Sequence, residues 1–227
     1  MRYIGNKENI LENIYSILQA NEVQGKTFFD FFAGTTNVGR FFKSKDYQIS
    51  SSDILYLSFC LQKAYIENNS EPKFEKLLNY IPQQNTESFF SYPLEIVVGY
   101  LNTLEGVEGF IYKNYTPSGT KDLSQPRMYF IDENGKRIDA IRLKIEDWKN
   151  KSLISENEYF ILLACLIETI GFYSNVAGVY AAFHKSWDPR ALKPLTMRTI
   201  PILNNNQENI VYNDDSMNLL DKIDLDI

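Results

Sequence analysis

A chain of 227 residues with 44% hydrophobic residues can bury a core, and its formal net charge of −6 excludes holding nucleic acid by overall charge, so such a partner needs a local positive face. Cys60 and Cys165 are the only cysteines, both in apolar runs, and His184 is the only histidine. A disulfide framework and a cysteine-based zinc site are therefore excluded, and a histidine-based metal site is disfavoured. No signal peptide and no membrane-length apolar run is read, and two buried thiols suit a reducing cytoplasm.

In chain order, Glu8 to Ala20 predicts an amphipathic helix with Ile10, Leu11, Ile14, Ile17 and Leu18 on one face. The Tyr3-Ile4-Gly5-Asn6-Lys7 segment ahead of it reads either as a loop over a ligand or as a frayed terminus. Thr27 to Phe32 reads as a buried strand, with Asp30 near its end and a turn through Ala33 and Gly34 into a helix that runs to Lys43. Strand, tight turn and helix form the first half of a mononucleotide-binding unit, where a ligand approaches backbone N–H groups and Asp30 can hold a cationic or hydroxyl-bearing group. Gly34 and Gly39 are present, but Thr36 stands where a dinucleotide site wants its middle glycine. That weakens a pyrophosphate reading and leaves room for a cofactor without phosphate, such as S-adenosylmethionine, but the turn by itself favours an ordinary βα turn of an α/β protein.

Tyr47 to Asp53 predicts a second strand ending in an acid, about 20 residues past the glycine turn, the position of a ribose-hydroxyl acceptor. Asp53 also fits a helix N-cap ahead of Ile54 to Asn68. From about Phe74 to Trp187 the strand–helix alternation gives way to helical patterns, notably Ile138 to Trp148 and Glu156 to Tyr173, the latter opened by a Ser155…Glu158 capping box. This block, residues 74–199, reads as an insertion between core segments 1–73 and 200–227. The loop Thr116 to Lys121 is rich in turn formers. Lys185, Arg190 and Lys193 lie among aromatics between Phe183 and Pro194, a composition that fits either a nucleic-acid backbone or a solvated loop. Asn209 to Ser216 returns to the strand-then-acid pattern, Met217 to Leu220 starts a helix, and Asp224 to Ile227 reads as the entry to a further strand.

Taken together, Tyr3-Ile4-Gly5-Asn6-Lys7, Asp30-Phe31-Phe32-Ala33-Gly34, Ser52-Asp53 and Asn213-Asp214-Asp215-Ser216 resemble the cofactor motifs of Dam-like, D12-class adenine-specific DNA methyltransferases. Between them, Gly109-Phe110-Ile111-Tyr112, Asn114-Tyr115, Arg127, Tyr129-Phe130, Ile138-Asp139, Ile141-Arg142, Ser174-Asn175, Ala177 and Val179-Tyr180 resemble the family's target-recognition region. Phe31 and Thr36 depart from the usual proline and glycine of the glycine motif.

The resemblance implies an α/β fold. Its core is a Rossmann-like, S-adenosylmethionine-dependent methyltransferase core with an incomplete sheet, and a mainly helical insertion reads double-stranded DNA. It implies Tyr3, Lys7, Asp30, Phe32, Gly34, Asp53, Asp215 and Ser216 around the cofactor, and Tyr112, Lys113, Lys121, Arg127, Lys185 and Arg190 as DNA-contact candidates. It further implies methyl transfer to N6 of a flipped adenine, without a metal, in a bacterial cytoplasmic restriction–modification setting. The adenine amine is a weak nucleophile. In the family it is held by an Asp-Pro-Pro-Tyr motif, and no such tetrapeptide occurs in these 227 residues. The expectations are accordingly that this chain alone is nearly inactive, that the first strand is central and pairs with the strand begun at Asp224, and that a complementing subunit or dimer contact covers the edge left open. A non-catalytic cofactor- and DNA-binding subunit is the alternative.

Overall fold

The computed structural model describes residues 7–82, 92–176 and 182–220. They divide into two compact units, one of residues 7–71 with 201–220 and one of residues 72–200. Each is built differently.

The sheet unit opens with a short 3₁₀ turn, Glu8–Ile10, leading into helix α1, Leu11–Ala20. Of the predicted apolar face only Leu11 is buried, and Ile10 and Ile17 are exposed. Strand β1 is Thr27–Asp30, helix α2 is Asn37–Lys43, and strand β2 is Gln48–Ser52. Helix α3, Tyr56–Gln62, continues as a π-helical turn over Lys63–Glu67. Strand β3, Ile210–Tyr212, and helix α9, Ser216–Leu220, complete the unit. The strands form one parallel sheet in the order β1-β2-β3. This is an α/β unit. β1 is only half-buried rather than buried as predicted, and among the described strands it pairs with β2 alone. The expected partner strand at Asp224 lies outside the described residues.

Packing here is aromatic and tight. Phe28 stacks on fully buried Phe42 at 4.1 Å between ring centroids. A Cβ added at Gly39 would sit 2.9 Å from Ile66 Cδ1 and 3.5 Å from Ile49 Cγ2, so glycine lets α2 press onto β2 and the π turn. Lys43 is fully buried. Its ammonium donates to the carbonyls of Tyr65 (3.1 Å), Ile66 (2.8 Å) and Asn68 (2.6 Å), closing the C-terminal end of the π turn where helix carbonyls lack partners. Burial pushes its pKa down to about 8.

The helical unit contains α4, Glu75–Leu78, α5, Pro93–Leu101, α6, Phe110–Tyr115, α7, Asp132–Asn150, and α8, Glu156–Tyr173. The predicted stripe Ile138, Ile141 and Ile145 is buried together with Trp148. The Ser155–Glu158 capping box is formed, with the Ser155 amide donating to the Glu158 carboxylate at 2.8 Å. α7 begins six residues earlier than its apolar period indicates. Its first turns carry polar Asn134 and small Gly135, both buried. Asn134 accepts from the Leu195 amide at 2.8 Å and donates to the carbonyls of Ala191 (3.3 Å) and Lys193 (3.0 Å), so tertiary bonds replace hydrophobicity there.

No described helix is long and apolar enough to cross a membrane. Both thiols are buried and neither is in a disulfide, and burial pushes Cys165 up to about 12.

Candidate functional site

The carboxyl ends of the three strands are tied to one another by side chains from the loops that follow them. After β1 the chain turns through Ala33, Gly34, Thr35 and Thr36. The Ala33 amide donates to the Ser52 carbonyl at 3.0 Å, and the Ser52 hydroxyl donates to the Phe31 carbonyl at 3.0 Å. Gly34 adopts a left-handed φ of +50°, and its amide donates to Asp53 Oδ2 at 2.9 Å. The other oxygen of Asp53, Oδ1, accepts from the Leu55 amide at 2.9 Å. Asp53 is thus not the N-cap of α3, which starts two residues later with Leu55 in that position. Its carboxylate instead bridges the glycine turn and its own loop.

The third strand joins from the other side. The Asp53 amide donates to the Tyr212 carbonyl at 3.2 Å, and Asn213 Nδ2 donates to the carbonyls of Asp53 (2.9 Å) and Ile54 (3.1 Å). The buried Ser216 hydroxyl donates to the Phe31 carbonyl at 2.7 Å. Asp215 is exposed and accepts the Met217 amide at 2.9 Å, starting α9. Gly34, Asp53 and the Asn213–Ser216 segment therefore share one corner of the unit. Asn213 and Ser52 hold that corner together. Their signal in the sequence was only a polar side chain beside each acid.

Asp30 stands at the end of β1. Its Oδ2 is sealed from solvent without a donor in hydrogen-bonding geometry. Burial raises its pKa above the usual carboxylate range. The Phe32 amide, the exposed Lys7 ammonium and the Gly39 amide pull the other way, and Asp53 adds to the rise. Thr36 keeps the turn despite lacking a glycine's freedom. It is fully buried at φ 64°, a conformation costly for a β-branched residue, with its hydroxyl donating to the Thr35 carbonyl at 2.6 Å. Around the corner, Phe32 (77% exposed), Ile54 (67%) and Met217 (71%) leave large apolar side chains open. Tyr3 lies outside the described residues.

A cleft of about 510 Å³ in the same unit is lined by Glu8, Leu11, Asn37, Arg40, Tyr65 and Ile202, among others, and by none of the predicted cofactor residues. The strand-end corner is the better candidate, because three strand termini, two acids and a left-handed glycine converge there. Among the described residues no cluster of three or more His, Cys, Asp or Glu could hold a metal ion.

In the helical unit the predicted DNA-contact residues separate into two kinds. Lys113, Lys121 and Lys185 are exposed and make no ion pair among the described residues. Arg127 and Arg190 are engaged. Arg127 Nη1 donates to the Asn114 carbonyl at 2.9 Å, closing the C-terminal end of α6, and Arg190 forks onto Asp188, with Nε 3.1 Å from Oδ1. Tyr112 is half-buried with the Lys136 ammonium 4.8 Å from its ring centroid. Buried Asn175 takes the Asp188 amide at 2.9 Å and donates to the carbonyls of Met128 (2.9 Å) and His184 (3.0 Å). Ala177, Val179 and Tyr180 lie outside the described residues.

Comparison with known proteins is consistent along the whole chain. Over 236 aligned residues it is 43% identical to the type II methyltransferase M.FokI of Planomicrobium okeanokoites, covering all of this chain and 33% of that protein. It is 37% identical to the modification methylase StsI of Streptococcus sanguinis, covering 32% of it, and 36% identical to the type II methyltransferase M.NlaIII of Neisseria lactamica, covering 62% of it. The chain thus spans about a third of the length of the first two relatives. No solved structure matches it significantly. Residues 3–227 match the model of the D12 class N6 adenine-specific DNA methyltransferases, and the chain belongs to that family.

Proposed function

We propose that the strand-end corner binds S-adenosylmethionine and that the helical unit contacts double-stranded DNA, for methylation of adenine N6 in a bacterial, cytoplasmic restriction–modification setting. The observation that carries this reading is the bond between the Gly34 amide and Asp53 Oδ2, which brings the glycine turn and the second-strand acid together. A carboxylate offers about four lone-pair sites. Two are taken by the Gly34 and Leu55 amides, which orient Asp53 and leave capacity for the two ribose hydroxyls. Asp30, half-buried at the end of β1 with its sealed Oδ2 lacking a donor, fits a cationic guest, whose charge would draw it into the ionised form. The exposed Phe32, Ile54 and Met217 side chains supply apolar area for a nucleoside to cover. When bound, the cofactor supplies a methyl group on a sulfonium centre.

On the DNA side, Lys113, Lys121 and Lys185 are the candidates for phosphate contact. Arg127 and Arg190 act by shaping the elements they bond. Flipping an adenine costs a few kcal/mol, offset by pocket contacts. The Asp-Pro-Pro-Tyr tetrapeptide is absent from these 227 residues, so a polypeptide of this sequence binds cofactor and DNA while transferring little or no methyl. Residues outside it, on the same or a complementing chain, would hold the amine. The second reading is a non-catalytic binding subunit of a split methyltransferase. A co-purifying partner that bears the tetrapeptide would support it.

Titration calorimetry tests the cofactor assignment. S-adenosylhomocysteine is expected to bind and NAD not to, with Asp53→Ala abolishing the heat. Binding of NAD alone, or unchanged binding by Asp53→Ala, overturns the assignment. Labelled methyl transfer to duplex DNA by the isolated polypeptide at an ordinary enzymatic rate overturns the predicted silence.

A further inference from the structure

Helix α6 is six residues long, too short to be stable from its own hydrogen bonds. Its N-cap position is Gly109, which has no side chain to accept from the first amides. The missing acceptor comes from another helix. Asp139 of α7 is 4% exposed, and its Oδ1 and Oδ2 accept from the Ile111 amide (2.9 Å) and the Tyr112 amide (2.8 Å). A Cβ at Gly109 would lie 2.6 Å from the Asp139 carboxyl carbon, so glycine at the N-cap is what admits the carboxylate. The carboxylate also faces the positive end of the α6 dipole.

The same face of α7 holds the next segment. Asp132, two helical turns before Asp139, accepts from the Ser118 amide at 3.1 Å and from the Ser118 hydroxyl. Burial opposes its charge, but those bonds hold its carboxyl below the usual range. Between them, Gly135 lets α7 approach α6, since a Cβ there would meet Thr116 Cγ2 at 2.4 Å and Tyr112 Cα at 3.3 Å. α7 is 19 residues long and anchored in the core through Ile138, Ile141, Ile145 and Trp148. α6, by contrast, exposes Phe110 (67%) and Lys113 to solvent.

We propose that Asp139 is a positioning residue for nucleic-acid binding. It makes no contact with DNA, and it sets the pose of α6 and hence of Phe110 and Lys113 toward a duplex. This rests on the reading of α6 as a DNA-contact element. Asp132 plays the lesser part, fixing the turn that leads to Lys121.

The test uses the full 227-residue chain, a short fluorescein-labelled duplex containing adenines, and amide hydrogen exchange. In Asp139→Ala, exchange at Ile111 and Tyr112 is expected to accelerate by about tenfold or more, with protection in α8 unchanged. Duplex affinity falls by a similar factor. In a Lys113→Ala background Asp139→Ala weakens binding much less, a non-additivity that general loss of stability does not produce. Asp139→Asn keeps the shape and one acceptor oxygen, and gives an intermediate effect. If Asp139→Ala also loses α8 protection, Asp139→Asn carries the same prediction at smaller size.

Wild-type binding by both Asp139 variants, while Lys113→Ala binds weakly, overturns the positioning role and leaves the DNA reading intact. Wild-type binding by Lys113→Ala and Phe110→Ala alike removes α6 from the DNA contact, and the positioning role with it.

Discussion

In the sheet unit the candidate site is held by short-range wiring among strand ends. Asp53 is fixed by two backbone amides, the Phe31 carbonyl by two serine hydroxyls, and Gly34 and Thr36 by left-handed backbone. In the helical unit Lys113 and Lys121 sit on a short helix and a turn that one long helix holds through Asp139 and Asp132, and the Lys185 segment is held by Asn175. The first arrangement puts polar atoms within reach of a small molecule and keeps a strained turn and an under-solvated acid in place. In the second, the Asp139 carboxylate is buried against backbone amides while Lys113 and Lys121 stay exposed. A small cofactor needs fixed groups at hydrogen-bond distance, whereas a polyanion needs positive charge on a surface of set shape.

The sharpest way to break this contrast is at Lys43, whose role is wholly structural. Replacing Lys43 by Met leaves the carbonyls of Tyr65, Ile66 and Asn68 without their donor, and a loss of about 3 kcal/mol in denaturant unfolding is expected. The wild type also carries a pH signature. Its Lys43 pKa of about 8 lies below the ordinary lysine value of about 10.4. In that window the unfolded chain holds more protons, so stability rises as pH increases from about 8 toward about 10. Lys43→Met loses that rise relative to wild type.

Next in size is Asp53→Ala, which removes both amide acceptors of the corner. It should cost about 1–2 kcal/mol of stability, in addition to the loss of S-adenosylhomocysteine binding that calorimetry is expected to show. A variant that keeps full affinity would place the ligand elsewhere.

Asp30→Asn separates stability from binding. The carboxyl is raised in the fold, so the native state holds its proton more tightly than the unfolded chain does, and ionisation penalises the fold as pH climbs above the ordinary Asp range. The Asn variant escapes that penalty and should melt higher at neutral pH while binding the sulfonium cofactor more weakly. A lower melting temperature would show Asp30 to be a structural acid.

Thr36→Gly relieves the left-handed strain and should stabilise by up to about 1 kcal/mol, read from the shift in denaturation midpoint. The smallest change in stability belongs to the helical surface. Lys121→Ala and Lys185→Ala should leave stability within about 0.5 kcal/mol of wild type, yet each lowers the salt slope of duplex binding by about 1.

The amino-acid order by itself carried the strand–turn–helix of β1, Gly34 and α2, the acid after β2, the capping box of α8 and the Ile138–Ile145 stripe. Those are local patterns, in which period, glycine and cap occur within a few residues. It did not disclose that Asp53 would bond the Gly34 amide rather than cap α3, because the choice between two acceptor roles depends on which amide arrives in space. Nor did it reveal that Asp139 would cap α6, about 28 residues away in the chain, or that Arg127 and Arg190 would be spent on a carbonyl and a carboxylate instead of standing free. Charge and chemical type are written along the chain, but the partner of a buried polar group is settled only when distant segments pack, since each such group must find whichever donor or acceptor the fold brings within about 3 Å.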